Sequence, residues 1–340
     1  MIPQTPAAAP AGIITKRIPI MKRICLIFLV LTLLLSMTSA LCGCNGGKNP
    51  ATNNNGITIA VTSPAAHALV SPLTENYLAD GGNQVVTIVP LYKPGQDTHS
   101  FEPTAKDIVS LADADVVVCI GSEAWLDSAL KSSGNTAARV LSMMEACDIH
   151  SVEHDHDHSS EDSACALMAN DEHVWLAVDN ATLIVAAVTN ALKEADPANA
   201  SVWDKHSEAF KAQLISLNTE FHDAVRSSAK KTVVVADRHP FGHLFAHLGL
   251  TCVAAFPGCS SETSASFETQ TKLIEAVKSG ELSYIFVIEG SDRKVAEVVA
   301  AETGAEILTL NSMQVVSDYG SIDYLKVMQD NLKNLKKALQ

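Results

Sequence analysis

Short apolar runs alternate with stretches of helical period along most of this chain. Residues 57–61 form the first such run, Ile-Thr-Ile-Ala-Val, and predict a buried strand. Helical periodicity follows over residues 65–79, then a second strand over 84–89. A helix over 104–111 opens with Thr104 as its N-cap and Asp107 three residues on, an acidic form of the capping box. Strands over 115–120 and 138–141 flank a helix over 123–130. The first half therefore has a β-α-β-α rhythm, which predicts an α/β lobe.

From residue 180 to about 230 the pattern is helical throughout, broken at Asp196-Pro197, and a long helix after Ala198 could run the length of a two-lobed molecule. Strand-like runs then resume at 232–236, 251–256, 284–288 and 306–310, with helices over 240–248, 266–278, 293–303 and 321–339. A second β-α lobe is expected. The implied organisation is an N-terminal lobe over 57–179, connecting helices over 180–230 and a C-terminal lobe over 231–340. Two such lobes make a cleft at the C-terminal ends of their strands, where open α/β sheets bind ligands.

The N-terminal end changes the picture. Lys22 and Arg23 precede an apolar run over 24–35, and Leu41-Cys42-Gly43-Cys44 follows. A dozen apolar residues suit a secretory leader and fall short of the roughly 20 that a membrane-spanning helix needs. Residues 1–43 are expected to be a signal peptide, with Met21 a possible initiator. Leu-x-Gly-Cys resembles a bacterial lipobox in which Cys44 would be lipidated, placing the protein outside the cytoplasm on a bacterial membrane. Residues 44–56, rich in Gly and Asn, would be a flexible tether. The leader carries four basic residues and no acid, so its removal would take the net charge from −14 to −18. Such a balance excludes nucleic acid as a partner and suits cations. Five cysteines lie beyond the lipobox, Cys119, Cys147, Cys165, Cys252 and Cys259, none in a CxxC pair. Cys147 and Cys165 could close the intervening loop as a disulfide, which extracytoplasmic conditions permit.

Histidines carry the candidate chemistry. Asp97-Thr98-His99-Ser100-Phe101-Glu102-Pro103-Thr104 sets an imidazole in a loop stiffened by Pro94 and Pro103. Asp171-Glu172-His173-Val174-Trp175-Leu176 repeats the order of acid, histidine and apolar anchor. Between them Glu153-His154-Asp155-His156-Asp157-His158, in a loop over about 150–164, suits a divalent transition metal and reads as a disordered auxiliary loop that collects zinc at low affinity, senses plentiful metal or merely keeps the chain soluble. Glu289, at the end of the strand over 284–288, would face the cleft as a reserve oxygen donor.

Pro94-Gly95-x-Asp97-x-His99-x-Phe101-Glu102-Pro103-Thr104, Asp171-x-His173-Val174-Trp175-Leu176 and the closing Tyr324-Leu325-x-x-Met328-x-x-Asn331-Leu332 resemble the solute-binding lipoproteins of bacterial zinc and manganese ABC importers, in their zinc-importing branch. That resemblance covers nearly the whole mature chain. It implies two lobes bridged by a long rigid helix, a metal ion held between them, and delivery to an ABC permease driven by a cytoplasmic ATPase. It also implies that His99 and His173 are the first lobe's ligands. The second lobe departs from the pattern. The family's next histidine position falls on Arg238, with His239 or Asp237 able to substitute. The family's acidic fourth position meets Leu310-Asn311-Ser312-Met313-Gln314, where Asn311 and Gln314 offer only amides.

Imidazoles with one oxygen make a tetrahedral zinc site, whereas Mn²⁺ prefers an oxygen-rich shell, so Zn²⁺ is the expected cargo. Other readings remain. His99 could hydrogen-bond Glu102, His173 could pack beside Trp175, and His239 could sit on the surface at a helix start. His243 and His247, one helical turn apart, could chelate or line a solvated face. His67, His206 and His222 stand singly on helical stretches and read as structural. A zinc-dependent hydrolase is the rival function, although neither His-Glu-x-x-His nor Gly-x-Ser-x-Gly occurs. A manganese-binding protein or adhesin of the same fold is a third reading.

Overall fold

The computed structural model describes residues 56–75, 86–148, 171–258, 265–319 and 322–340. All of them fall in one compact unit, Asn54–Gln340. The expected leader, Cys44, the expected tether up to residue 55 and the histidine run lie outside the described residues.

Two four-stranded parallel sheets organise the molecule. The first contains β1 (Thr58–Val61), β2 (Thr87–Pro90), β3 (Val116–Cys119) and β4 (Arg139–Ser142), in the order β2-β1-β3-β4. The second contains β5 (Thr232–His239), β6 (Thr251–Pro257), β7 (Tyr284–Ile288) and β8 (Glu306–Leu310), in the order β6-β5-β7-β8. Each order reverses direction beside its first strand. The crevice at such a switch point opens at the C-terminal strand ends. Continuous apolar runs such as Val116–Cys119, buried at every position, belong to strands covered on both faces.

Helices α1 (Pro64–Thr74), α2 (Ala105–Leu111), α3 (Leu126–Ser133) and α4 (Met143–Ala146) accompany the first sheet. Two longer helices follow, α5 (Val178–Ala195) and α6 (Ala200–Arg226). They are separated where expected: Asp196, held out of the helical region before Pro197 at φ −136° and ψ 72°, ends α5. At 27 residues, α6 is about 40 Å long. It buries one stripe, Trp203, Ser207, Phe210, Leu214, Leu217, Phe221 and Val225, at helical spacing. Helices α7 (Gly242–Leu248), α8 (Phe267–Ser279), α9 (Lys294–Thr303) and α10 (Tyr324–Ala338) serve the second sheet. The largest core cluster takes residues from both sheets and from α5, α6 and α10, so one apolar mass runs through the helical layer between them. Each fully buried Leu or Phe in it contributes roughly 1.5–3 kcal/mol. Among the described residues no helix is long and apolar enough to cross a membrane.

The second sheet holds one departure from the sequence pattern. The apolar run predicts a strand over 232–236, but β5 continues to His239, with a register irregularity against β6 between Val235 and Arg238. That irregularity re-aims the strand's polar end, as bulges do next to functional sites.

Candidate metal centre

His99, His173, His239, Glu289, Asn311 and Gln314 each lie near the C-terminal end of a strand or in the segment leading into α5. The loop after β2 is preorganised by its own side chains. Asp97 caps the short 3₁₀ turn Thr98–Ser100, its Oδ1 accepting from the His99 backbone N–H at 3.0 Å. Thr104 and Asp107 form the expected capping box at the start of α2. His99 thereby projects toward the other half, with its side chain 25% exposed. A cavity of about 650 Å³ opens beside it, lined by Phe101, Ser122, Trp125 and Glu172 among others.

His173 sits in the turn before a 3₁₀ segment, Val174–Leu176, and is completely buried. Trp175 packs edge-on against its ring at 5.3 Å. Packing is only part of its role. Its Nδ1 is 2.6 Å from Asp171 Oδ1, which also accepts its backbone N–H at 3.1 Å. Burial would raise the Asp171 pKa, but the hydrogen bonds and charge of His173 outweigh it and hold the carboxyl below its usual range. His243 is buried rather than on a solvated face, and its Nε2 donates to the Asp171 carbonyl at 2.7 Å. The solvated helix face expected for His243 and His247 therefore does not hold for His243, whose Nε2 is taken up by Asp171 rather than turned to His247. Gly242 stands against the same acid: a Cβ there would lie 2.6 Å from Asp171 Oδ2.

His99 and His173 converge, their ring centroids 5.5 Å apart. His99 Nδ1 faces Glu172 Oε1 at 3.0 Å, so Glu172, not Glu102, is the acid beside it. Burial works to lower the His99 pKa, but the hydrogen bond and charge of Glu172, aided by Asp97, raise it above the ordinary value. His99, Glu172 and His173 offer ligand atoms within 4.8 Å of one another. With each Nδ1 turned to a carboxylate, each Nε2 presents its lone pair. Both Nε2 atoms meet one group, the Gln314 carboxamide, whose Nε2 is 3.1 Å from that of His99 and in hydrogen-bond contact with that of His173. Two acceptor lone pairs aimed at one electropositive group is the donor arrangement of a cation site.

The second half supplies the other candidates with different roles. Arg238, where the sequence resemblance implies a histidine, pairs with Asp97 at 3.0 Å. His239 is outside the His99, Glu172, His173 group; its ring stacks on Phe245 at 5.3 Å. Its Nδ1 and Asp237 Oδ2 are buried without a hydrogen-bond partner among the described residues. Burial lowers the His239 pKa to about 4. The reserve oxygen donor expected at Glu289 is committed elsewhere. Its Oε2 accepts from Ser312 N at 2.7 Å, and its Oε1 accepts from Ser312 Oγ at 2.7 Å and Gln314 N at 3.0 Å. Asn311 shapes the same loop: its Oδ1 accepts from Met313 N at 2.8 Å, and its backbone exchanges hydrogen bonds with Asn331. Met313 in this turn takes a positive φ of 60°. Of the three oxygen donors expected from sequence, Gln314 alone touches both imidazoles. Cys147 is a free thiol directed at the Asn180 carbonyl, and Cys165 lies outside the described residues.

Sequence reasoning overlooked Glu172 as a site residue, although the two consecutive acids before His173 carried the signal. It read His67 and His206 as structural, and they bond Tyr92 Oη at 2.7 Å and the Leu73 carbonyl at 2.8 Å.

Two parallel-sheet lobes around a long helix, with imidazoles from one meeting a loop of the other, define a two-lobed α/β solute-binding protein. The family described as zinc-uptake complex component A, periplasmic (ZnuA), matches residues 75–338, and the chain belongs to that family. It is similar to the high-affinity zinc uptake system protein ZnuA of Bacillus subtilis (strain 168), 29% identical over 273 residues that cover 78% of this chain and 83% of that one. It is also similar to the zinc-binding lipoprotein AdcA of Streptococcus pneumoniae (strain ATCC BAA-255 / R6), 28% identical over 253 residues covering 72% and 50% of the two chains. Among solved structures, the metal-dependent lipoprotein YcdH from Bacillus subtilis superposes with a TM-score of 0.66 at 25% identity, over 84% of this chain and 99% of that one. The Zn(II)-bound ZnuA-like domain of Streptococcus pneumoniae AdcA gives 0.64 at 22% identity, again over 84% and 99%.

Proposed function

We propose that this protein is the extracytoplasmic zinc-binding component of an ABC metal importer, capturing Zn²⁺ between its lobes and delivering it to a membrane permease. The observation that carries this reading is the meeting of two Nε2 lone pairs, one from His99 and one from His173, at a single group from the opposite lobe. His99 and His173 bind the ion first through Nε2. Asp171 and Glu172 hold the two rings from behind, the carboxylate-histidine arrangement that orients metal-ligating imidazoles. The second lobe completes the shell with the Gln314 carboxamide oxygen and with His239, whose unpartnered Nδ1 supports a ligand role. Nitrogen donors favour Zn²⁺ over Mn²⁺.

Residues 1–43 act as the export leader, Cys44 carries the lipid, and residues 44–56 tether the folded lobes to the membrane. The lobes comprise residues 57–179 and 231–340, joined by helices over 180–230. His154, His156 and His158 gather zinc at lower affinity. Permease and cytoplasmic ATPase drive release, and the protein captures the ion without turning anything over. The test is titration of purified protein with zinc against a chromophoric chelator. Replacing His99 and His173 together by Ala is expected to abolish tight binding; undiminished affinity would overturn the assignment.

A further inference from the structure

We propose a second divalent transition-metal site, built from Asp179 in the first turn of α5, His222 on α6 and His247 on α7. It shares no residue with the His99 and His173 centre and lies on the helices rather than at the strand ends. His222 Nε2 is 3.1 Å from His247 Nε2, and His247 Nε2 is 2.5 Å from Asp179 Oδ2. Three ligand atoms from three helices thus fall within 4.8 Å of one another. Asn218, one turn before His222, donates from Nδ2 to Asp179 Oδ1, which turns Oδ2 toward the two rings.

Valence makes this more than a surface cluster. An imidazole nitrogen carries one proton or one lone pair, yet His247 Nε2 faces both a carboxylate oxygen and a second imidazole nitrogen. One N–H satisfies only one of them. A cation at their common centre satisfies all three, and ligands at about 2.0–2.1 Å from a tetrahedral Zn²⁺ stand about 3.3 Å apart, close to the observed nitrogen separation. Two nitrogens and one oxygen select Zn²⁺ and its neighbours over Mg²⁺ or Ca²⁺. Side-chain exposures of 32% for His247 and 45% for Asp179 leave room for water as the fourth ligand. Binding is therefore weaker and faster to exchange than at the buried His173. The site would also fasten α7, whose His243 braces Asp171, to the two helices between the sheets.

The test is zinc stoichiometry of the full chain carrying H154S, H156S and H158S to silence the loop histidines. Two equivalents are expected, one tight and one weaker. H222A with H247A, or D179N alone, should remove the weaker equivalent and leave the tight one, with folding checked by thermal melts. H99A with H173A should do the reverse, so that failure of this proposal and failure of the importer reading are separable. A parent protein that takes up only one equivalent, or retention of the second in both the H222A/H247A and D179N variants, overturns the proposal.

Discussion

His99 and His173 are each backed by a carboxylate on Nδ1, and these acids leave Nε2 as the nitrogen that would face an ion in the proposed site. Asp171→Asn and Glu172→Gln are each expected to weaken zinc binding roughly 10–100-fold while leaving the ligands in place, as competition with a chelator would measure. His239 yields a pH effect on the ion-free protein. Burial depresses its folded-state pKa to about 4, below the unfolded value near 6.5, so the unfolded chain takes up a proton that the folded one refuses. Its contribution is present in full above pH 6.5 and is lost as pH falls toward 4. Allowing for partial exposure, roughly 2 kcal/mol is at stake. The melting temperature of chelator-treated protein should drop across that window, with a shallower slope in His239→Leu. Both His99 and His173 were legible in the sequence as site candidates because acids and apolar anchors flank them. Glu172, one of those flanking acids, signalled a site by its place, but its partner was hidden, because it faces His99, in the loop after β2, rather than its neighbour His173.

At the level of elements, the loop after β8 is where sequence and structure part most. An acid on a strand end beside the cleft suggested a ligand, but Glu289 instead gathers the backbone N–H groups of Ser312 and Gln314 and so positions Gln314. Pattern alone does not reveal this, since all but one of the partners, the Ser312 hydroxyl, are main-chain N–H groups that no side-chain motif records. Burial raises the Glu289 pKa even though those hydrogen bonds oppose it. Glu289→Gln puts an amide donor where a second acceptor is needed. A loss of about 1–3 kcal/mol in urea unfolding is expected, together with weaker zinc binding. Gly242 offers a second check. Gly242→Ala would drive a methyl against Asp171, and zinc affinity should fall although alanine favours the helix. The strands themselves were readable from their apolar runs. The extension of β5 to His239 was not, because its last residues are polar and its register slips.

Across the whole molecule, the two sheets communicate through hydrogen bonds as well as through the helical core. Thr98 Oγ1 donates to the Gln314 carbonyl at 3.0 Å, the Gly95 N–H to Val316 O at 2.8 Å, and Trp175 Nε1 to Ser312 O at 2.9 Å. Tyr324 Oη on α10 donates to the Trp175 carbonyl at 2.7 Å. In the proposed site an ion held from both sides would add to these, so zinc at a thousandfold excess over its dissociation constant should stabilise the fold by about 4 kcal/mol. A scanning calorimeter would read this as a raised melting temperature, reversed by chelator. Removing residues 150–164 should leave that increment intact. The carboxamide of Gln314 stands between the two imidazoles with its N–H₂ end toward them. In the proposed role loading is then a half-turn rather than an eviction: the amide that offers its nitrogen to the rings swings its oxygen to the arriving cargo, and swings back when the cargo departs.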